Sequence, residues 1–328
     1  MAEKEFFVPV IDPSKRKELE PYMKDRAIDL QALVMEVDTT LIDEGFEPFQ
    51  RPLEACKRIA DRLGISFTIG GKKDKFVEAV HFVYESFYRH DDLYMPPMHI
   101  GTVMFRDIFL PLKIPVVYGQ VEVDPINSLH EVPENTIKWI FQDNETASTL
   151  TDQWIDLFDF VYGLDDEARQ EHHPVHAIEF WQLAKQQLEG AAATLLGSID
   201  KYTVIQNSII AMELLLKGAL LAQGESVASL KKYGHMMKDL VDKACELMPH
   251  SDHERLKMVV GRTPRLVERR YEAKDYKRTE IGQIMMDAQF VAGEVLRQFS
   301  DQDIRSSLTV KSSEGRDYQE RFYPPLSE

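Results

Sequence analysis

The sequence is poor in the residues that usually announce chemistry. It has 2 cysteines in 328 residues, Cys56 and Cys245, and neither belongs to a Cys-x-x-Cys pair. That excludes a disulfide framework and a thiolate metal centre. Both lie in helix-like segments and read as buried free thiols of a reducing compartment. No stretch approaches the roughly 18–20 apolar residues of a membrane span, and the opening MAEKEFFVPVIDPSKRKELE has no apolar run of signal-peptide length. A cytoplasmic protein with no membrane partner is the expectation. No Gly-x-Ser-x-Gly elbow, no Gly-x-Gly-x-x-Gly after a strand and no Gly-x-x-x-x-Gly-Lys-[Ser/Thr] loop occurs, so serine-hydrolase, dinucleotide and P-loop chemistry lack their motifs. Internal repeats and low-complexity segments are missing too.

What is present is enough apolar residue for real cores, 44 %, on a chain longer than the ~250–300 residues at which single cores stop growing. Two domains are expected. Residues 14–37 read as a helix capped by Ser14. Pro52 opens a second helix that Gly64 stops. Residues 65–69 alternate like a short strand, Gly70-Gly71 turns the chain, and 72–88 form a third helix. From 95 to 124 prolines break the pattern, and 114–118, 121–123 and 136–141 read as strands. Helix resumes over 150–162. A mixed α/β domain of unassigned role over 1–165 results.

The polar stretch 163–173, GLDDEARQEHH, is the expected boundary. Beyond it the pattern is almost purely helical. Helices are predicted from Pro174 to Leu196, over 202–222, over 236–248, over 252–271 with a bend or split at Pro264, and over 279–299. The helix 202–222 is apolar nearly all round and should be central. Short loops favour an antiparallel arrangement. Residues 301–328 read as a polar tail. The fold expectation is mainly α, with a five-helix bundle over 172–300 behind the mixed domain.

Net charge is −16, and evenly spread it would repel nucleic acid. It is not even. Residues 255–278 hold nine basic and three acidic side chains, a local +6 that leaves −22 elsewhere. Such asymmetry points either to an anionic partner or to a salt-bridged helix face. Glu213 and Lys217, spaced i, i+4 in an apolar helix, share one face as an ion pair or as one wall of a polar groove. His235 follows Gly234 at a helix start, where free N–H groups suit an anion. Arg269 and Arg270 can fork onto a phosphate or an acidic neighbour such as Glu213. Weaker candidates are a metal set around His172, His173 and His176, another around His250, Asp252 and His253, and a phosphate nest at Gly70-Gly71-Lys72-Lys73.

Three segments carry a family resemblance in order: AMELLLKGAL at 211–220, YGHMMKDL at 233–240, and Glu268-Arg269-Arg270-Tyr271 before a long last helix. This order resembles the HEPN domain family, over about 125 residues. The resemblance implies a helical bundle that pairs into a homodimer, and no cofactor. It implies one of two activities. Some HEPN proteins are metal-independent ribonucleases of toxin or defence systems, carrying an arginine followed a few residues later by a histidine near the later helices. Others lack that pair and bind nucleotides or act as binding modules. Here the last histidine is His253, ahead of the late arginines, and the one formal match, Arg169 and His176, falls at the expected boundary. The resemblance therefore favours a nucleotide- or RNA-binding module without ribonuclease activity, with Glu213, Lys217, His235, Arg269, Arg270 and Tyr271 as candidate binding residues. A divergent ribonuclease and a protein-interaction scaffold are the alternatives.

Overall fold

A computed structural model describes residues 23–24, 27–69, 74–119, 124–129, 131–170, 173–198, 202–248, 252–264 and 276–307. Over these residues the chain is mainly α-helical, with two small antiparallel strand pairs. It divides into two compact units, Met1–Pro96 and Pro97–Glu328.

The first unit begins with the strand pair β1 (Met23–Lys24) and β2 (Ala27–Ile28). Helices α1 (Leu30–Asp43), α2 (Arg51–Leu63) and α3 (Lys75–Phe87) follow. Their ends are set chemically. Asp29 caps α1 through the Ala32 N–H at 3.1 Å, Asp74 caps α3 through the Phe76 N–H at 2.9 Å, and Gly64 leaves α2 in the left-handed region at φ 66°. Leu33, Val37, Leu41, Ile59, Leu63, Val80 and Tyr84 close a small core. Cys56 lies within it. Burial, reinforced by the charge of Asp74, pushes its thiol up to about 12, so it is inert at neutral pH. Two sequence expectations are corrected here. The first described helix starts at Leu30, after the β1–β2 pair, and residues 14–22 lie outside the described residues. The alternating run 65–69 forms no strand, having no partner strand to pair with among the described residues.

The second unit opens with a hairpin of β3 (His99–Phe105) and β4 (Ile108–Ile114), in register from His99↔Ile114 to Phe105↔Ile108 around the two-residue turn Arg106-Asp107. Then come α4 (Pro125–Ser128), α5 (Glu134–Ile140), α6 (Asn144–Gln170), α7 (Val175–Gly197), α8 (Tyr202–Ala222), α9 (Val227–Leu230), α10 (Met237–Leu247), α11 (His253–Gly261) and α12 (Arg278–Leu296). Helix α7 runs along α8, α12 packs on α6 and α8, and α10 packs on α8 and α11. One continuous core spans Val103 to Leu296.

Several expectations change in this unit. The boundary is at Pro96/Pro97 and not in 163–173, because residues 163–170 are the last turns of α6, whose middle belongs to the same core as α7 and α12. Residues 136–141 are not a strand but lie in and just after α5. Ile137, Ile140 and Phe141 fall at helical spacing, and Ile140 is fully buried. Helix α8 is central, yet α12 is more so, buried at every position from Ile281 to Leu296. By length and composition α8 also passes as a membrane span, contrary to expectation, and 67 % of its apolar window is buried inside the unit. The tail is not all tail: 304–307 are helical, and Arg305 enters the core.

The outer edge of β3 is closed by side chains. In a hairpin with a two-residue turn, alternate residues point their N–H and C=O away from the partner strand. Thr102 and Met104 are such residues. Gln289 of α12 serves both groups of Thr102, at 3.1 and 2.8 Å, and Gln153 of α6 accepts from Met104 N–H at 2.9 Å. Pro111 sits opposite Thr102, where no ladder bond is asked of it.

Candidate functional site

Helix α8 carries Glu213 and Lys217 one turn apart on its less buried flank. Lys217 Nζ lies 2.5 Å from Glu213 Oε1, with both side chains about 15 % exposed. Gly224, at φ 94°, ends the helix and turns the chain through α9. Gly234, at φ 52°, then turns it into α10. This excursion returns His235 to Glu213, with Nδ1 at 2.9 Å from Oε2 and 3.1 Å from Oε1. One carboxylate thus holds a lysine and a histidine together at the surface. With Nδ1 turned to the carboxylate, Nε2 of the exposed ring (61 % exposed) is the ring nitrogen left to meet a ligand. Lys217 keeps further N–H donors for an anion.

Arg269, Arg270 and Tyr271, the other candidates, lie outside the described residues. Four described residues of the basic segment are used differently from the first of its two readings. Arg255 pairs with Asp252 at 3.4 Å, Lys257 with Asp242 at 3.0 Å, and Arg262 with the buried Asp287. Arg278 donates to the Asp107 carbonyl and lies 4.6 Å over the Phe109 ring. At these four positions the positive charge answers the chain's own acids, carbonyls and rings.

The weaker motifs disperse. His173 pairs with Glu167 at 3.2 Å, His176 with Glu179 at 2.8 Å and Arg169 with Asp165 at 2.9 Å, so Arg169 and His176 hold separate partners. Among the described residues no group of three or more His, Cys, Asp or Glu is arranged to hold a metal. Asp252 caps α11 through the Arg255 N–H. Gly70 to Lys73, His172 and His250 lie outside the described residues.

Sequence reasoning missed two polar clusters. In the first, Asp152, Asp156 and Asp159 of α6 are fully buried against Arg297 and Glu294 of α12 and Arg305 beyond it. In the second, the wholly buried His99 of β3 sets Nδ1 3.1 Å from Glu189 Oε1, which also takes Lys185 Nζ at 2.8 Å. Burial holds His99 below the ordinary histidine range, against the pull of Glu189. Burial works the other way on Glu189, but the His99 hydrogen bond and Lys185 bring its carboxyl down to about 2. His99 Nε2 has no hydrogen-bond partner among the described residues, so protonation there would strand an N–H in the core.

The folded chain therefore takes up the His99 proton less readily than the unfolded chain. Stability is full above the unfolded value of about 6.5 and falls as pH drops below it, by at most about 1.4 kcal/mol per pH unit. Denaturant titrations between about pH 7 and pH 5 should show this acid loss in the wild type and a flatter profile in His99→Gln. Equal slopes in the two proteins would remove His99 as its source.

Compared with known proteins, the chain matches no protein-family model, no curated protein and no solved structure.

Proposed function

We propose that the C-terminal unit carries over residues 172–300 a HEPN-like set of helices that, packed with the rest of the unit, binds a nucleotide or RNA at the Glu213–Lys217–His235 cluster without cleaving it. The observation that carries this reading is the shared carboxylate. Glu213 holds a fixed ammonium beside a fixed imidazole at the surface, a pairing suited to one phosphate. Helices α7, α8, α10, α11 and α12 overlap the five stretches that the sequence reads as helical, which is compatible with the same reading. The order of the motifs supports it, since α8 and the start of α10 carry two of the three segments. In this reading the module works in the cytoplasm as a homodimer joined through apolar helix faces.

Cleavage would need a second proton-transfer group placed across the phosphate from His235. Among the described residues, the arginine–histidine match at Arg169 and His176 is already split between two other partners. The test is ATP and labelled single-stranded RNA titrated against the full chain and against Lys217→Ala, with the RNA recovered and sized afterwards. Loss of a charge-assisted hydrogen bond should weaken binding about tenfold or more, with the RNA intact. Cleaved RNA from a preparation free of metal would replace the binding reading with the ribonuclease one. A Lys217→Ala protein that binds like the wild type would move the site elsewhere.

A further inference from the structure

A second concavity of the C-terminal unit has no part in that cluster. It is a cleft of about 670 Å³ between the hairpin tip, α5 and the first turns of α6, with Gln283 of α12 on its inner side. That volume lies in the range of small-molecule sites, roughly 300–1,000 Å³.

Two glutamines give the cleft a defined inner surface. Gln153 is 3 % and Gln283 8 % exposed. The oxygen of Gln153 accepts the Met104 N–H at 2.9 Å, which fixes the amide, and its NH₂ has no protein partner among the described residues. Gln283 is fixed in the opposite sense: its NH₂ donates to Asp287 at 2.9 Å, and Asp287 is itself held by Arg262. Its oxygen has no protein partner among the described residues. A donor and an acceptor on two largely buried side chains therefore line the same cleft, open to solvent and available to a ligand.

The outer wall is aromatic. Trp139 is 51 % exposed, and the Arg106 guanidinium sits 4.0 Å over its ring. Arg106 is held at φ 58°, a left-handed turn position that side chains other than glycine, asparagine and aspartate rarely adopt. This turn aims the guanidinium across the indole and leaves a planar platform at the mouth. The charge there disfavours phosphate. Against the single cation of Arg106 stand Asp143 and Glu145, which also line the cleft.

We infer that this cleft binds an uncharged planar heterocycle with neighbouring acceptor and donor groups on one edge, the chemistry of a nucleobase or nucleoside without its phosphate. The ring stacks at Trp139, its acceptor takes the Gln153 NH₂, and its donor meets the Gln283 oxygen. The site is separate from the Glu213 cluster and does not depend on it.

Calorimetric titration of the full chain with guanosine, adenosine and uridine, and with their 5′-monophosphates, tests this directly. Trp139→Ala, Gln283→Leu and Lys217→Ala are run in parallel, with circular dichroism confirming that each is folded. At least one nucleoside should bind more tightly than its monophosphate. Its affinity should fall at least tenfold in Trp139→Ala, a surface substitution that spares the core, and stay unchanged in Lys217→Ala. Three results overturn the proposal: no nucleoside binding at millimolar concentration, binding that survives Trp139→Ala, or binding lost in Lys217→Ala alone. The last would place the ligand in the Glu213 cluster instead.

Discussion

Replacing Arg297 by methionine is expected to lower the stability of the C-terminal unit by about 3–5 kcal/mol. The guanidinium is buried. Its Nε lies 2.6 Å from Asp159, Nη2 2.8 Å from Asp156 and Nη1 3.2 Å from Glu294. Methionine keeps much of the volume and none of the charge. Burial already pushes the Asp159 carboxyl above its ordinary value, against the pull of Arg297. Without the arginine Asp156 would keep Arg305 at 2.6 Å, Asp159 the Ile304 N–H at 3.0 Å and Glu294 the Asp252 N–H at 2.9 Å, too little to offset the lost guanidinium.

The penalty is one of uncompensated charge, and this gives it two signatures in denaturant titrations. Asp159→Leu placed on top of Arg297→Met should recover part of the loss, because it removes one stranded carboxylate. The deficit should also shrink as pH falls. A buried acid without its partner has a raised folded-state pKa, so the folded variant takes up protons preferentially in acid. A loss below about 1 kcal/mol with no pH dependence would mean that the cluster is solvated like a surface pair.

Trp181→Ala is expected to cost about 3–5 kcal/mol as well, by a different route. Trp181 of α7 is completely buried, with its indole N–H on the Leu215 carbonyl at 3.3 Å and the Phe299 ring 5.3 Å away. The ring fits a notch in α8 made by Gly218, where an added Cβ would come within 2.4 Å of the indole nitrogen. Truncation leaves a ring-sized void at the contact that sets α8 against α7, and close-packed helices refill such a void only in part. Since α8 carries Glu213 and Lys217, the variant should also weaken ligand binding at that cluster while leaving its residues unchanged. Thermal or urea unfolding within 1 kcal/mol of wild type would show that the helices close the gap by sliding.

These two residues mark where the sequence could be read and where it could not. Helix punctuation was legible. Pro52 and Gly64 bracket α2, Gly224 closes α8, and α10, expected over 236–248, is Met237–Leu247. Each signal is local, so neighbours decide it. Helix α6 was legible as a helix but its buried acids were not, because Asp152, Asp156 and Asp159 lie at i, i+4 and i+7, a spacing that by itself does not tell a solvent face from a buried one. Their counter-charges, Arg297 and Arg305, are more than a hundred residues away. The boundary at 163–173 failed for the same reason: a polar helix end looks like a linker until its partner is seen. Within the candidate site, the Glu213–Lys217 pair follows from spacing alone. The return of His235 across 22 residues depends on turns at Gly224 and Gly234, whose outcome spacing does not state. The cleft was not legible at all, since Trp139, Gln153 and Gln283 meet only after α5, α6 and α12 have packed.

The measurement that bears most directly on the central claim is the salt dependence of RNA binding, compared between the wild type and the Lys217→Ala/His235→Ala double variant. A site that grips phosphate releases counterions, and the logarithm of the binding constant falls with the logarithm of salt by about 0.7 for each single-strand phosphate neutralised. The account predicts measurable wild-type binding at low salt, a slope worth one to two phosphates, and a shallower slope with weaker binding in a double variant of unchanged stability. Binding that is indifferent to salt, or that keeps its slope in the double variant, would contradict it.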